Sequence, residues 1–112
     1  MPDSGDLAWH DALPLADLED SVPHEVQLGS RLLALVKVGE NIYAVDCICT
    51  HEFALLSDGY VDSDTIECPL HAARFHLPTG KVLDGPAETD LNTYPVRLTG
   101  KIVQVGLPVP SI

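Results

Sequence analysis

Two short runs, Cys49-Thr50-His51 and, after sixteen intervening residues, Cys68-Pro69-Leu70-His71, constrain this chain more tightly than anything else in it. Each supplies one thiol and one imidazole, so a single metal centre using all four would staple two loops together. Two Cys and two His suit zinc or an iron–sulfur centre in which two His replace two Cys on one iron. Zinc fingers draw like ligands from each element, as C-x₂₋₄-C and H-x₃₋₅-H. Here both pairs are mixed. A symmetric pair of mixed loops suits a dinuclear object, with both Cys on one metal, both His on the other, and each loop donating once to each. The spacing favours iron, and a zinc-binding interaction module is the chemical alternative.

The rest of the chain reads as short strands and tight turns. Leu7-Ala8-Trp9 suits an edge strand, followed by a Pro- and Asp-rich loop through Val22-Pro23. His24 to Leu28 alternates, Leu32 to Val38 reads as a buried strand, Gly39-Glu40-Asn41 as a hairpin turn, and Ile42 to Asp46 as its partner. Tyr60-Val61, Thr65-Ile66-Glu67 and Arg74 to Leu77 are short strand candidates. Thr93 to Leu98 and Ile102 to Val105 form a second hairpin about Thr99-Gly100. No segment carries a long helical period, and nine Pro with eight Gly would interrupt one. The expected class is all-β, a sandwich or barrel.

One domain spanning 1–112 is expected from the length. The longest uninterrupted apolar run, Leu32 to Val36, is far short of a membrane span. The start, Met1 to Asp6, is acidic and polar rather than an export signal, so a cytoplasmic protein is expected. The net charge of −11, with six carboxylates and no Lys or Arg in the first twenty residues, argues against nucleic acid or an anionic membrane as partner. It suits a carrier that docks briefly on basic surfaces. Of three Cys, Cys47 stands outside the two runs. It could be read as an alternative ligand, but its plainer reading is a small buried hydrophobe.

The pattern C-x-H-x₁₆-C-x₂-H resembles the Rieske family. Gly59 after Leu56-Ser57-Asp58, Pro69, Phe75 four residues past His71 and the Thr79-Gly80 turn extend the likeness over roughly Ile42 to Val105. The resemblance implies stacked antiparallel sheets, a basal β-sandwich or barrel with a cluster-binding subdomain inserted at about 47–86. It implies one [2Fe-2S] cluster, with Cys49 and Cys68 as thiolates on the inner iron and His51 and His71 as neutral imidazoles on the outer. High-potential members carry a disulfide across the cluster, and the matching positions here are Ala54 and Leu70. They also carry a Ser and a Tyr that donate to sulfur, where this chain has Ala73 and Phe75. Without these, the potential is expected near the low end of the family's span of roughly −150 to +300 mV.

Low-potential Rieske proteins of this length resemble the ferredoxins of bacterial aromatic-ring-hydroxylating dioxygenase systems. That likeness implies an electron carrier and not an enzyme. Its partners would be a flavin-containing NAD(P)H reductase and a terminal oxygenase, with the carrier itself a monomer. Docking would use the cluster tip, with a rim of Glu52, Phe53, Leu70, Ala72 and Pro86. The alternative is the Rieske-type small subunit of an assimilatory nitrite reductase. An oxygenase is excluded: His71-x₄-His76 has the spacing of a mononuclear iron site, with Glu67 or Asp90 as a possible carboxylate, but His71 is committed to the cluster and the length leaves no room for a second domain. His76 departs from the Asp frequent in the family and reads as a strand residue near the cluster. His10 and His24 read as surface or strand residues.

Overall fold

The uninterrupted apolar run in the third strand is explained by its position in the middle of three stacked sheets. In the computed structural model, which describes residues 7–50, 54–70, 72–84 and 89–108, eleven strands fall into three antiparallel sheets. The basal sheet joins β1 (Leu7–Pro14), β11 (Ile102–Pro108) and β10 (Val96–Thr99) in the order β1-β11-β10. The middle sheet orders β2 (His24–Leu28), β3 (Arg31–Val38), β4 (Asn41–Asp46) and β9 (Thr93–Tyr94) as β2-β3-β4-β9. The third is a meander of β5 (Tyr60–Asp62), β6 (Thr65–Glu67), β7 (Arg74–His76) and β8 (Val82–Asp84).

Successive side chains of a strand point to opposite faces, and both faces of β3 are covered. Leu33 and Leu35 pack with Val26, Ala44, Val103 and Val105 in a core shared with the basal sheet. Ala34 and Val36 pack with Val45, Ile66 and Phe75 in a second core shared with the meander. A strand buried on both faces loses the polar alternation of a half-solvated one, as Leu32 to Val36 does. Full burial of a Leu or Phe contributes about 1.5–3 kcal/mol each, so this strand anchors both cores.

Three differences from the sequence-based reading have physical causes. The first strand runs on to Pro14 because it pairs with β11 along its whole length, from Leu7 opposite Pro108 to Pro14 opposite Ile102, with an irregularity between Asp11 and Leu13. As an edge strand it tolerates a proline that donates nothing. The expected strand Thr93 to Leu98 is two strands. Pro95 lacks the N–H to continue the ladder, and the chain changes sheet there. β9 pairs with β4 and β10 with β11, while the Pro95 carbonyl accepts from the Gly106 amide at 2.9 Å. Finally, β8 is an additional strand, three residues long and paired to β7 across an irregularity at Arg74 and Phe75.

Candidate metal centre

The two Cys/His runs sit in loops with the same neck. In the first, the Cys49 amide donates to the Ala54 carbonyl at 2.9 Å; in the second, the Cys68 amide donates to the Ala73 carbonyl at 2.8 Å. Each bond closes a loop from a cysteine to the residue five positions on. Around the first neck, Ile48 bridges Leu55, the Leu56 amide donates to the Cys47 carbonyl, and the Cys47 amide donates to Leu32 on β3. In the second, Ala72 donates to the Cys68 carbonyl at 3.2 Å and adopts φ 60°, in the left-handed region. Both necks emerge from the core shared by the middle sheet and the meander, and Cys49 and Cys68 are 4% and 1% exposed within it.

Two glycines bring the pieces together. A Cβ on Gly59 would collide with the Glu67 carbonyl, so this close approach between the first loop's exit and β6 requires glycine. Gly80, at φ 77°, has the same relation to the carbonyl of Leu91. The Leu91 amide donates to the Gly80 carbonyl at 2.8 Å, and Asp90 accepts from the Val82 amide at 2.9 Å. Asp90 and Leu91 are thereby held against the meander. Thr50, between Cys49 and His51, donates from its hydroxyl to the Thr89 carbonyl at 2.6 Å, tying the residue before Asp90 to the first loop.

Of the expected ligands, the structure brings Cys49 and Cys68 into one buried cluster. His51 and His71 lie outside the described residues, as do Glu52, Phe53 and Pro86 of the expected rim. The rim's Leu70, 53% exposed, and Ala72 both face solvent. Cys47 is fully buried, as expected, and also donates from its thiol to the Ser57 hydroxyl at 3.4 Å. His76 is a strand residue, half-buried between Asp64 (Nε2 to Oδ2, 3.1 Å) and Thr79 (Nδ1 to Oγ1, 2.9 Å). His10 and His24 are exposed on β1 and β2. Glu67 lies opposite Arg74 in the meander.

On the meander's outer face Arg74 forks onto Asp84, Nε to Oδ1 at 3.0 Å and Nη2 to Oδ2 at 2.6 Å, and holds β7 to β8. The hydrogen bond to Asp84 raises the guanidinium's pKa, and the same bond lowers that of the carboxyl. In the middle sheet the Tyr94 hydroxyl donates to Asp46 at 2.6 Å and accepts from Arg31 at 3.0 Å. Burial and then the bond to Asp46 push its pKa up to about 12. The contacts of Thr50 and Ser57 leave no local signal in the sequence, since Thr50 meets a backbone carbonyl 39 residues on and Ser57 joins Cys47 and Glu25, 10 and 32 residues away.

The donor chemistry fits a mixed-ligand iron–sulfur cluster. Two cysteines from two loops with equivalent necks lie in one apolar core that excludes water from the thiolate side, and in sequence each loop carries a histidine between its two neck residues. No helix of the described residues is long and apolar enough to cross a membrane.

Comparison with known proteins agrees. Residues 8–95 match the Rieske [2Fe-2S] domain model. The chain is 40% identical over 101 residues to the ferredoxin component of the naphthalene 1,2-dioxygenase system of Pseudomonas putida, covering 90% of this chain and 97% of that one. Among solved structures, the Sphingomonas yanoikuyae B1 ferredoxin superposes with a TM-score of 0.85 at 31% identity, over 90% of this chain and all of that one. A chain from the complex of reduced oxygenase and oxidized ferredoxin in carbazole 1,9a-dioxygenase gives 0.81 at 33% identity, over 87% and 91%. The likeness to a solved chain assigned as a nitrite reductase small subunit from Mycobacterium tuberculosis, at 22% identity, extends to the fold alone.

Proposed function

The chain belongs to the Rieske [2Fe-2S] family, and on that premise we propose that it is the electron-carrying ferredoxin of an aromatic-ring-hydroxylating dioxygenase system. Its donor is a flavin-containing NAD(P)H reductase, its acceptor the terminal oxygenase, and it works as a monomer. The relatives named as ferredoxin components of dioxygenase systems support this reading over a nitrite reductase subunit. The observation that carries it is the pair of equivalent loop necks with Cys49 and Cys68 buried in one core.

When bound, the cluster takes up and releases one electron. The residues that would hold it are Cys49 and Cys68 on one iron and His51 and His71 on the other, within a cluster-binding subdomain of about 47–86. Cys49 and Cys68 keep the thiolate side dry, and the exposed Leu70 and Ala72 offer, with Glu52, Phe53 and Pro86, a mainly apolar rim for docking. Carboxylates elsewhere steer encounter with basic partners. Two neutral imidazoles in place of two thiolates make the site less negative and raise its potential over an all-Cys site. Ala73 and Phe75 offer no hydroxyl to sulfur, which keeps it at the low end of the family.

The test is electron paramagnetic resonance of the reduced protein with a redox titration. A signal of low average g-value and a potential within roughly 100 mV of the family's lower limit of about −150 mV are expected. Signal loss in His51→Ala and His71→Ala, with retention in His76→Asn, would support the ligand set. A colourless protein with one zinc per chain, after expression with ample iron, overturns the reading. Failure to pass electrons from a dioxygenase reductase to its oxygenase removes the assigned role while leaving the cluster.

A further inference from the structure

The seam between the basal and middle sheets holds an open pocket of about 280 Å³. Arg31 and Asn92 are among its polar lining residues, and Leu7, Pro95 and Pro108 supply apolar walls. Gly106 also lines it, and a Cβ there would press on Leu7 Cδ1 at 3.1 Å and Pro95 Cγ at 3.2 Å. The walls therefore meet over backbone that carries no side chain.

Arg31 is the first residue of β3 and is exposed. Its Nη1 donates to the Tyr94 hydroxyl at 3.0 Å, and its Cζ lies 5.6 Å from the centre of that ring. The hydroxyl donates in turn to Asp46 at 2.6 Å. Tyr94 thus stands between the cation and the carboxylate that would otherwise close on it. Held up to about 12, the tyrosine pKa keeps the phenol neutral, so no tyrosinate cancels the charge either. Lys37 and Arg74 are paired with Asp20 and Asp84, whereas Arg31 forms no ion pair among the described residues. A guanidinium carries five donors in a planar fork, and Tyr94 takes one of them.

A fixed cation with spare donors beside apolar walls selects a ligand with an anionic fork and an apolar body. One positive charge in a chain of net charge −11 suits a monoanion better than a phosphate. The volume lies just below the usual range of about 300–1,000 Å³ for drug-sized ligands, so the body is small. We propose that this pocket binds a small organic monocarboxylate, its carboxylate on Arg31 with Asn92 as a further donor, and its apolar body against Leu7, Pro95 and Pro108. The site is independent of the cluster reading.

The experiment follows amide chemical shifts of the isotope-labelled, cluster-loaded protein as hexanoate is added. Acetate, hexanamide and inorganic phosphate are titrated alongside, and hexanoate is repeated on Arg31→Gln and Arg31→Lys. Hexanoate should give saturable shifts at Arg31, Thr93 and Gly106 by about 10 mM. Hexanamide should bind at least about tenfold more weakly, having lost the charge-assisted bonds, and acetate likewise, having lost the buried methylenes. Arg31→Gln should weaken hexanoate by a similar factor, and Arg31→Lys by less, since it keeps the charge without the fork. The ligand series on wild type decides the matter even if Arg31→Gln is less stable. The inference is overturned by hexanoate that never saturates, by hexanamide or phosphate binding as tightly as hexanoate, or by unchanged affinity in Arg31→Gln. Shifts confined to Ala8, Leu28 and Leu107, which line the neighbouring hollow, also overturn it.

Discussion

The Thr50 hydroxyl reaches the Thr89 carbonyl at 2.6 Å, joining the residue between the two expected ligands of the first loop to the segment that follows β8. Among the described residues this is the side-chain hydrogen bond that joins those two segments. Losing one such bond costs about 0.5–1.5 kcal/mol. Thr50→Val should therefore speed bleaching of the cluster by a chelator roughly two- to tenfold, and Thr50→Ser should restore the slower rate. An unchanged bleaching rate in Thr50→Val would show that the two segments hold together without it.

Ala73 is fully buried, and its carbonyl accepts from the Cys68 amide. A hydroxyl there lies beside the thiolate side of the site. Ala73→Ser should raise the midpoint potential by about 40 mV, the equivalent of about 1 kcal/mol favouring the more negative reduced state. Phe75→Tyr adds its oxygen within a fully enclosed core position and should raise the potential at a stability cost of about 1–3 kcal/mol. A redox titration with a denaturation curve checks both, and a lowered potential in Ala73→Ser contradicts the hydrogen-bond argument.

Ala72 holds φ 60° without being glycine. The left-handed conformation costs an L-residue roughly 1–2 kcal/mol, partly offset because glycine loses more freedom on folding. Ala72→Gly should stabilise the protein by about 0.5–1 kcal/mol. The urea midpoint measures it; a destabilised variant would mean that the Ala72 methyl makes contacts worth more than the strain.

Tyr94 supplies a pH signature. Its folded pKa, about 12, lies above the ordinary tyrosine value near 10. The protonated phenol is favoured by the fold, so its contribution is complete below pH 10 and is lost as pH rises from there through about 12. Wild type should lose stability over that window more steeply than Tyr94→Phe. Tyrosinate absorbance should show one of the three tyrosines titrating late, and absent in the variant. Three tyrosines titrating together near pH 10 would refute it.

The parts of the fold legible in the sequence are those whose signal is local. The β3–β4 hairpin announces itself by Gly39, at φ 62°, between two apolar runs, and β2 by its alternation. Strand β8 carries too few residues to show a period, and it is a strand only because β7 lies beside it. The change of sheet at Pro95 has a proline as its trace, yet which strands receive the two halves depends on β4 and β11, each distant in sequence. The expected ligands stand out by type and spacing. The groups that hold their loops do not, because Thr50, Ser57 and Glu25 are ordinary polar residues until the fold makes them neighbours.

Pairing Leu7 with Pro108 closes the basal sheet across almost the whole chain, whereas every strand of the meander lies within residues 60–84. Local pairings close small loops and form early; distant ones carry a larger entropy of closure and form late. On refolding, the meander that backs the second cysteine loop should therefore pair before the basal sheet closes, and the sheet that joins the two ends of the described chain should be the last to be completed.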